Sequence, residues 1–184
     1  GYAHGFYSRG LAPGELSFKI TNNGNVNEQL SIGGLADWVK PQQYSIQVPA
    51  RGERTVNIKY GELLEPGLYS TFLLADKYST SEWDVAMLQP VILPYELGKT
   101  KDKAFEESGE PPAGQFKRYF FRVPENMTSV SFKLLSGSKG RVRMHIISPG
   151  GAQEVSQYAG VGDAQVIASV NMPYNRPAPG IWEV

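Results

Sequence analysis

The chain has 184 residues, 41% of them hydrophobic, with eighteen basic residues balanced by eighteen acidic ones. That length suits two modest β-domains of roughly 80 to 100 residues each, and zero net charge withholds the electrostatic footprint of a nucleic-acid binder. There is no cysteine, which excludes disulfides, thiol catalysis and thiolate zinc sites. No apolar run reaches the roughly eighteen residues of a membrane-spanning helix.

The opening GYAHGFYSRG has no apolar core of the kind a signal peptide needs, so it reads as cytosolic or as an internal piece of a longer chain. Leu16-Ser17-Phe18-Lys19-Ile20 then alternates apolar and polar residues, as do Tyr44-Ser45-Ile46-Gln47-Val48 and Thr55-Val56-Asn57-Ile58-Lys59-Tyr60. The same period returns in Val130-Ser131-Phe132-Lys133-Leu134 and in Arg141-Val142-Arg143-Met144-His145-Ile146. A period of two predicts half-buried strands, and no comparable window has helical spacing. Turn residues separate these segments: Asn22-Asn23-Gly24-Asn25, Pro49-Ala50-Arg51-Gly52-Glu53, Ser136-Gly137-Ser138-Lys139-Gly140 and Ser148-Pro149-Gly150-Gly151. The fold class expected is all-β, built as two β-sandwiches.

A charged stretch with a Pro-Pro pair, GKTKDKAFEESGEPPAG at 98–114, interrupts the β pattern and is expected to be a solvated linker, with a short helix around Lys101 to Glu107 as the alternative. It divides the chain into 1–98 and 99–184. Pro66-Gly67-Leu68-Tyr69 and Pro179-Gly180-Ile181-Trp182 echo each other as turns feeding an aromatic strand. The second echo starts a strand only a few residues before Val184, so the polypeptide is expected to continue.

Catalytic chemistry is sparse. The two histidines are His4, near the start, and His145, on the polar face of a strand beside Arg141 and Arg143. No Gly-x-Ser-x-Gly elbow accompanies them, and His145 reads as a surface residue. Glu106, Glu107 and Glu110 cluster in the charged stretch, where carboxylates meet water, and Asp76, Glu82 and Asp84 are expected near each other in a loop between strands. That loop, 75–84, supplies candidate calcium ligands but no EF-hand pattern. Gly33-Gly34 and Gly160-Val161-Gly162 open no phosphate loop. The expected site set is therefore empty: no catalytic, cofactor-binding or metal residue, and no cofactor unless calcium binds that loop. The stripe Arg141, Arg143 and His145 reads first as a solvated sheet face and second as a contact for an anionic partner. Asn126-Met127-Thr128 fits the glycosylation acceptor pattern, which has meaning only in a eukaryotic secretory setting. Trp38 is expected in the first core. Tyr119-Phe120-Phe121 puts aromatics on both faces of one strand, so one of them needs another cover.

The segments LAPGELSFKITNNGN, ADWVKPQQYSIQVPARGERTVNIKY and LEPGLYSTFLLAD together resemble an immunoglobulin- or fibronectin-III-like domain of secreted bacterial proteins. GQFKRYFFRVPENMTSVSFKLLSG and RPAPGIWEV resemble the jelly-roll or pre-peptidase C-terminal domains of subtilisin-like serine proteases. The whole succession is similar to the layout behind the catalytic domain in the tripeptidyl peptidase II group and its bacterial relatives. The resemblance implies an Ig-like sandwich followed by a jelly-roll-like one, without catalytic residues, since no G-T-S-M-A-type serine motif is present. It further implies an accessory role in a secreted or cell-surface bacterial peptidase, as endopeptidase or tripeptidyl peptidase, with peptide-bond hydrolysis carried out by an upstream catalytic domain. Stability, assembly through self-association, or positioning of a protein substrate would be its tasks; nucleic acid and a membrane span are not expected. The rival reading is a pair of cell-surface adhesion or carbohydrate-binding modules, which would carry exposed aromatic rows.

Overall fold

A computed structural model describes residues 8–9, 15–61, 63, 65–78, 81–99, 104–110, 112–135, 141–159 and 177–184. The chain is all-β and separates into two compact units, Gly1–Leu93 and Pro94–Val184. The division falls a few residues before the charged stretch, because Tyr95–Glu96 is a strand of the second unit and pairs with Phe121 and Arg122.

The first unit is a sandwich. One sheet has three strands, β2 (Glu15–Thr21), β6 (Glu53–Tyr60) and β4 (Val39–Pro41), in the order β2-β6-β4. The other has β1 (Ser8–Arg9), β3 (Glu28–Gly34), β5 (Ser45–Val48), β7 (Gly67–Lys77) and β8 (Val85–Leu93), in the order β1-β8-β7-β3-β5. Period-two residues meet between the sheets: Phe18, Val56 and Ile58 from one, Leu30, Ile46, Leu73 and Val91 from the other. The predicted strands at 16–20 and 55–60 lie in β2 and β6, and the one at 44–48 coincides with β5 from Ser45 onward.

Local chemistry fixes the turns. The Asn22 side chain accepts from the Gly24 amide at 2.9 Å and donates to the Val26 carbonyl at 2.7 Å, folding the chain back after β2. In the β5–β6 turn the left-handed conformation falls on Arg51 (φ 51°), not on the adjacent glycine. Gly34 is needed for a different reason: a Cβ there would collide with the Val39 carbonyl of the neighbouring backbone.

Among the described residues the second unit holds one five-stranded sheet. Its strands are β9 (Tyr95–Glu96), β10 (Phe120–Val123), β11 (Val142–Ile147), β12 (Gln153–Ala159) and β13 (Gly180–Glu183), in the order β12-β11-β13-β10-β9. A short 3-10 turn, Leu97–Lys99, follows β9. Phe121, Val123, Met144, Ile146 and Trp182 project from one face of the sheet into a core that also holds Leu97, Val130 and Phe132. The predicted strand at 130–134 needs correction. Burial alternates there as expected, with Val130 and Phe132 inside and Ser131 and Lys133 outside, yet the segment joins no ladder among the described residues. Period two reports which face is buried; it does not supply a hydrogen-bonding neighbour. The predicted turn at 136–140 lies outside the described residues, whereas 148–151 closes the β11–β12 hairpin with Gly151 at φ 85°.

The two Pro-Gly-x-aromatic echoes share one device. The Tyr69 hydroxyl donates to the Glu65 carbonyl at 2.6 Å, and the Trp182 indole N–H donates to the Ala178 carbonyl at 2.9 Å. In each unit the ring tethers the strand it opens to the residue four positions earlier. Gly180 has φ 128°, and a Cβ there would sit 3.0 Å from the Pro149 Cβ. Gly180→Ala is therefore expected to destabilise the second unit by roughly 1–2 kcal/mol, from backbone strain added to crowding. Urea titration against the parent chain measures it.

Candidate functional site

Among the described residues, no three His, Asp or Glu side chains converge as metal ligands. His4 lies outside the described residues. At the β7–β8 end, Asp84 Oδ2 accepts from the Lys77 amide at 2.8 Å, while Asp76 Oδ1 is buried without a hydrogen-bond partner. Asp84 thus terminates the hairpin, and Glu82 is exposed beside it. The exposed Tyr78 and Trp83 flank that turn and form no row along a sheet face.

The expected solvated linker is partly anchored. Residues 104–110 have no regular structure, but the Phe105 ring packs 4.3 Å from Tyr95, 5.3 Å from Phe121 and 5.5 Å from Tyr119, centroid to centroid. Glu107 pairs with Lys117 at 2.6 Å, while Glu106 and Glu110 stay exposed. The Lys117 ammonium, and after it Tyr119, hold the Glu107 carboxyl below its ordinary value by hydrogen bonding; Glu107 in turn raises Lys117. Burial, then Glu107, pushes the Tyr119 hydroxyl up. Phe121 faces the aromatic core, whereas Phe120 points from the opposite face, with the Arg118 guanidinium 5.3 Å from its ring. Trp38 packs at the margin of the first core, 6.1 Å from both Tyr60 and Tyr69.

The arrangement with the most chemical capacity lies on the β11–β12 hairpin. Arg141, Arg143 and His145 are exposed along β11 and its approach, and Val142, Met144 and Ile146 alternate with them toward the core. Register places Arg143 opposite Tyr158 and His145 opposite Ser156. The Arg141 and Arg143 guanidinium carbons stand 4.6 and 4.9 Å from the centre of the Tyr158 ring. Arg143 Nε donates to Ser156 Oγ at 2.8 Å, and His145 Nδ1 lies 3.0 Å from Gln153 Oε1.

Charge compensation separates these arginines from others in the unit. Arg118 pairs with Glu183 at 2.7 Å, and Arg122 with Glu96 at 2.6 Å. No carboxylate among the described residues pairs with Arg141 or Arg143, so a ring and a hydroxyl orient these two exposed side chains. The stripe was visible in sequence; Tyr158 was not. Its place opposite Arg143 depends on the irregularity between Ile146 and Ile147, which shifts the register by one residue.

No protein-family model matches the sequence, and no curated protein does. Among solved structures, the chain is similar to tripeptidyl peptidase 2 (TPP II): 16% identity, 97% of this chain, 17% of that one, TM-score 0.68. This chain thus spans a small part of the peptidase it matches, and at that identity the likeness establishes a shared fold. Other similar structures are a C. elegans MSP family member (12% identity, 49% of this chain and 91% of that one, TM-score 0.35) and a chaperone–tip adhesion subunit complex from archaic chaperone-usher pili of Acinetobacter baumannii (9% identity, 96% and 88%, TM-score 0.42). At such scores the last two establish no shared fold.

Proposed function

We propose that this chain is a non-catalytic accessory region of a subtilisin-like serine peptidase, of tripeptidyl or endopeptidase type, acting beside a catalytic domain encoded upstream. The observation that carries the reading is a likeness over 97% of this chain to 17% of the tripeptidyl peptidase 2 chain. The motif order LEPGLYSTFLLAD, VAMLQPVILPYEL, QFKRYFFRVPENMTSVSFKL supports it from the sequence side. Hydrolysis through an acyl-enzyme belongs to the parent protein. The accessory units add stability, assembly contacts or substrate positioning, in a secreted or cell-surface bacterial setting, with no cofactor required.

Two measurements test this. The purified chain is expected to cleave no peptide substrate and to remain unlabelled by a serine-directed fluorophosphonate; turnover with labelling would overturn it. The coding sequence upstream is expected to encode an α/β domain with a G-T-S-M-A-type serine motif. Tandem β-modules with an anchoring signal in its place would support adhesion instead, and a glycan array would then be the next step.

A further inference from the structure

We propose that the outer face of the β11–β12 hairpin is a docking strip for an extended acidic peptide, with Arg141 and Arg143 as its anion contacts and Tyr158 as the residue that positions them. The inference stands on the geometry of this face and does not depend on the peptidase reading.

Three observations carry it. First, the two guanidiniums are pre-oriented: both lie against one ring, 4.6 and 4.9 Å from its centre, and Arg143 is also fixed by Ser156. A side chain already held in place loses less entropy when a partner arrives. Second, their charge is uncompensated among the described residues, whereas Arg118 and Arg122 each have a glutamate. Guanidinium forks with free donors match carboxylates in planar, two-bond geometry. Third, the spacing fits a peptide. Arg141, Arg143 and His145 alternate along the chain, so their side chains leave the sheet at intervals of about 6.6–6.8 Å. An extended peptide presents alternate side chains at the same interval, so carboxylates two residues apart can reach Arg141 and Arg143 without bending either backbone.

A nucleic acid fits less well. Single-strand binders stack bases on open aromatic rings, and here the one exposed ring on the strip is engaged by two guanidiniums. The chain also carries no net positive charge.

The test uses the full 184-residue chain and a fluorescein-labelled peptide of alternating glutamate and serine, read by fluorescence anisotropy at low ionic strength. Binding is expected to weaken on going to about 1 M salt, where screening acts within about 3 Å. A glutamine-for-glutamate peptide is expected to bind at least about tenfold more weakly, and the double variant R141Q/R143Q to lose about tenfold in affinity. Tyr158→Ser, which leaves both charges in place, is expected to weaken binding by a smaller factor, whereas Lys133→Gln is expected to change nothing. Equal binding of the two peptides to the parent chain would overturn the proposal even if a variant fails to fold. So would full retention of affinity in R141Q/R143Q, or tighter binding of a single-stranded oligothymidine than of the acidic peptide.

Discussion

Replacing Trp182 with alanine is expected to destabilise the second unit by about 3–5 kcal/mol, the largest effect of any substitution considered. The indole is 1% exposed, packs 6.2 Å from the Phe132 ring and donates to the Ala178 carbonyl. Its removal leaves a cavity beneath β13, deprives that carbonyl of its donor and cuts the tether at the strand's start. Urea unfolding followed by far-UV circular dichroism should show the transition of the second unit moving to lower denaturant while that of the first unit stays in place. Trp182→Phe helps to separate the two contributions, because it keeps most of the packing and loses the N–H. A loss under about 1 kcal/mol in the alanine variant would contradict the core assignment.

Tyr60→Phe is expected to cost the first unit about 1–3 kcal/mol. Gln89 is fully buried inside the sandwich, and its carbonyl oxygen accepts from the Tyr60 hydroxyl at 2.5 Å, while its amide donates to the Leu88 carbonyl. Removing the hydroxyl leaves a buried acceptor without its donor, and unsatisfied buried groups cost more than the bond itself contributes. The same hydroxyl makes stability depend on alkali. Burial raises Tyr60 from its ordinary 10.0 to about 12, so the folded unit holds the phenolic proton more firmly than the unfolded chain does. Its contribution is complete below pH 10, falls as the unfolded state ionises first, and is exhausted once pH passes the folded value near 12. Chemical denaturation of parent and variant across that window checks this: the parent's stability should fall more steeply than that of Tyr60→Phe. Parallel curves would refute it.

Gln89 also explains where sequence reading stops. In β2, β5 and β6 the apolar residues face the core and polar residues face water, so alternation alone identifies the strands. In β7 and β8 the pattern is blurred, because Leu68, Phe72 and Leu88 are exposed while Thr71 and Gln89 are buried. Register sets Phe72 opposite Leu88 and Thr71 opposite Gln89, a pairing no local window contains. The Pro-Gly-x-aromatic echo was legible as a motif, but its purpose emerged only with the two side-chain bonds to Glu65 and Ala178. The charged stretch hid an aromatic anchor: Phe105 stands among Lys, Glu and Gly, and its three ring partners lie ten to sixteen positions away in the chain. On the candidate docking strip the basic stripe follows from spacing, whereas the aromatic that organises it sits across a hairpin with a shifted register.

The strand order of the second unit has a consequence for how that unit is made. Among the described residues β13 lies between β10 and β11, so β9 and β10 connect with β11 and β12 only through it. Of the five strands it is also the last in the chain. During synthesis the two halves of this sheet must wait, edges open, until residues 180–183 emerge, whereas every strand of the first unit is already available by Leu93. Ribosomes add about 5–20 residues per second, so the unpaired edges of β10 and β11 persist for seconds in every round of translation. In that interval they are templates for wrong partners.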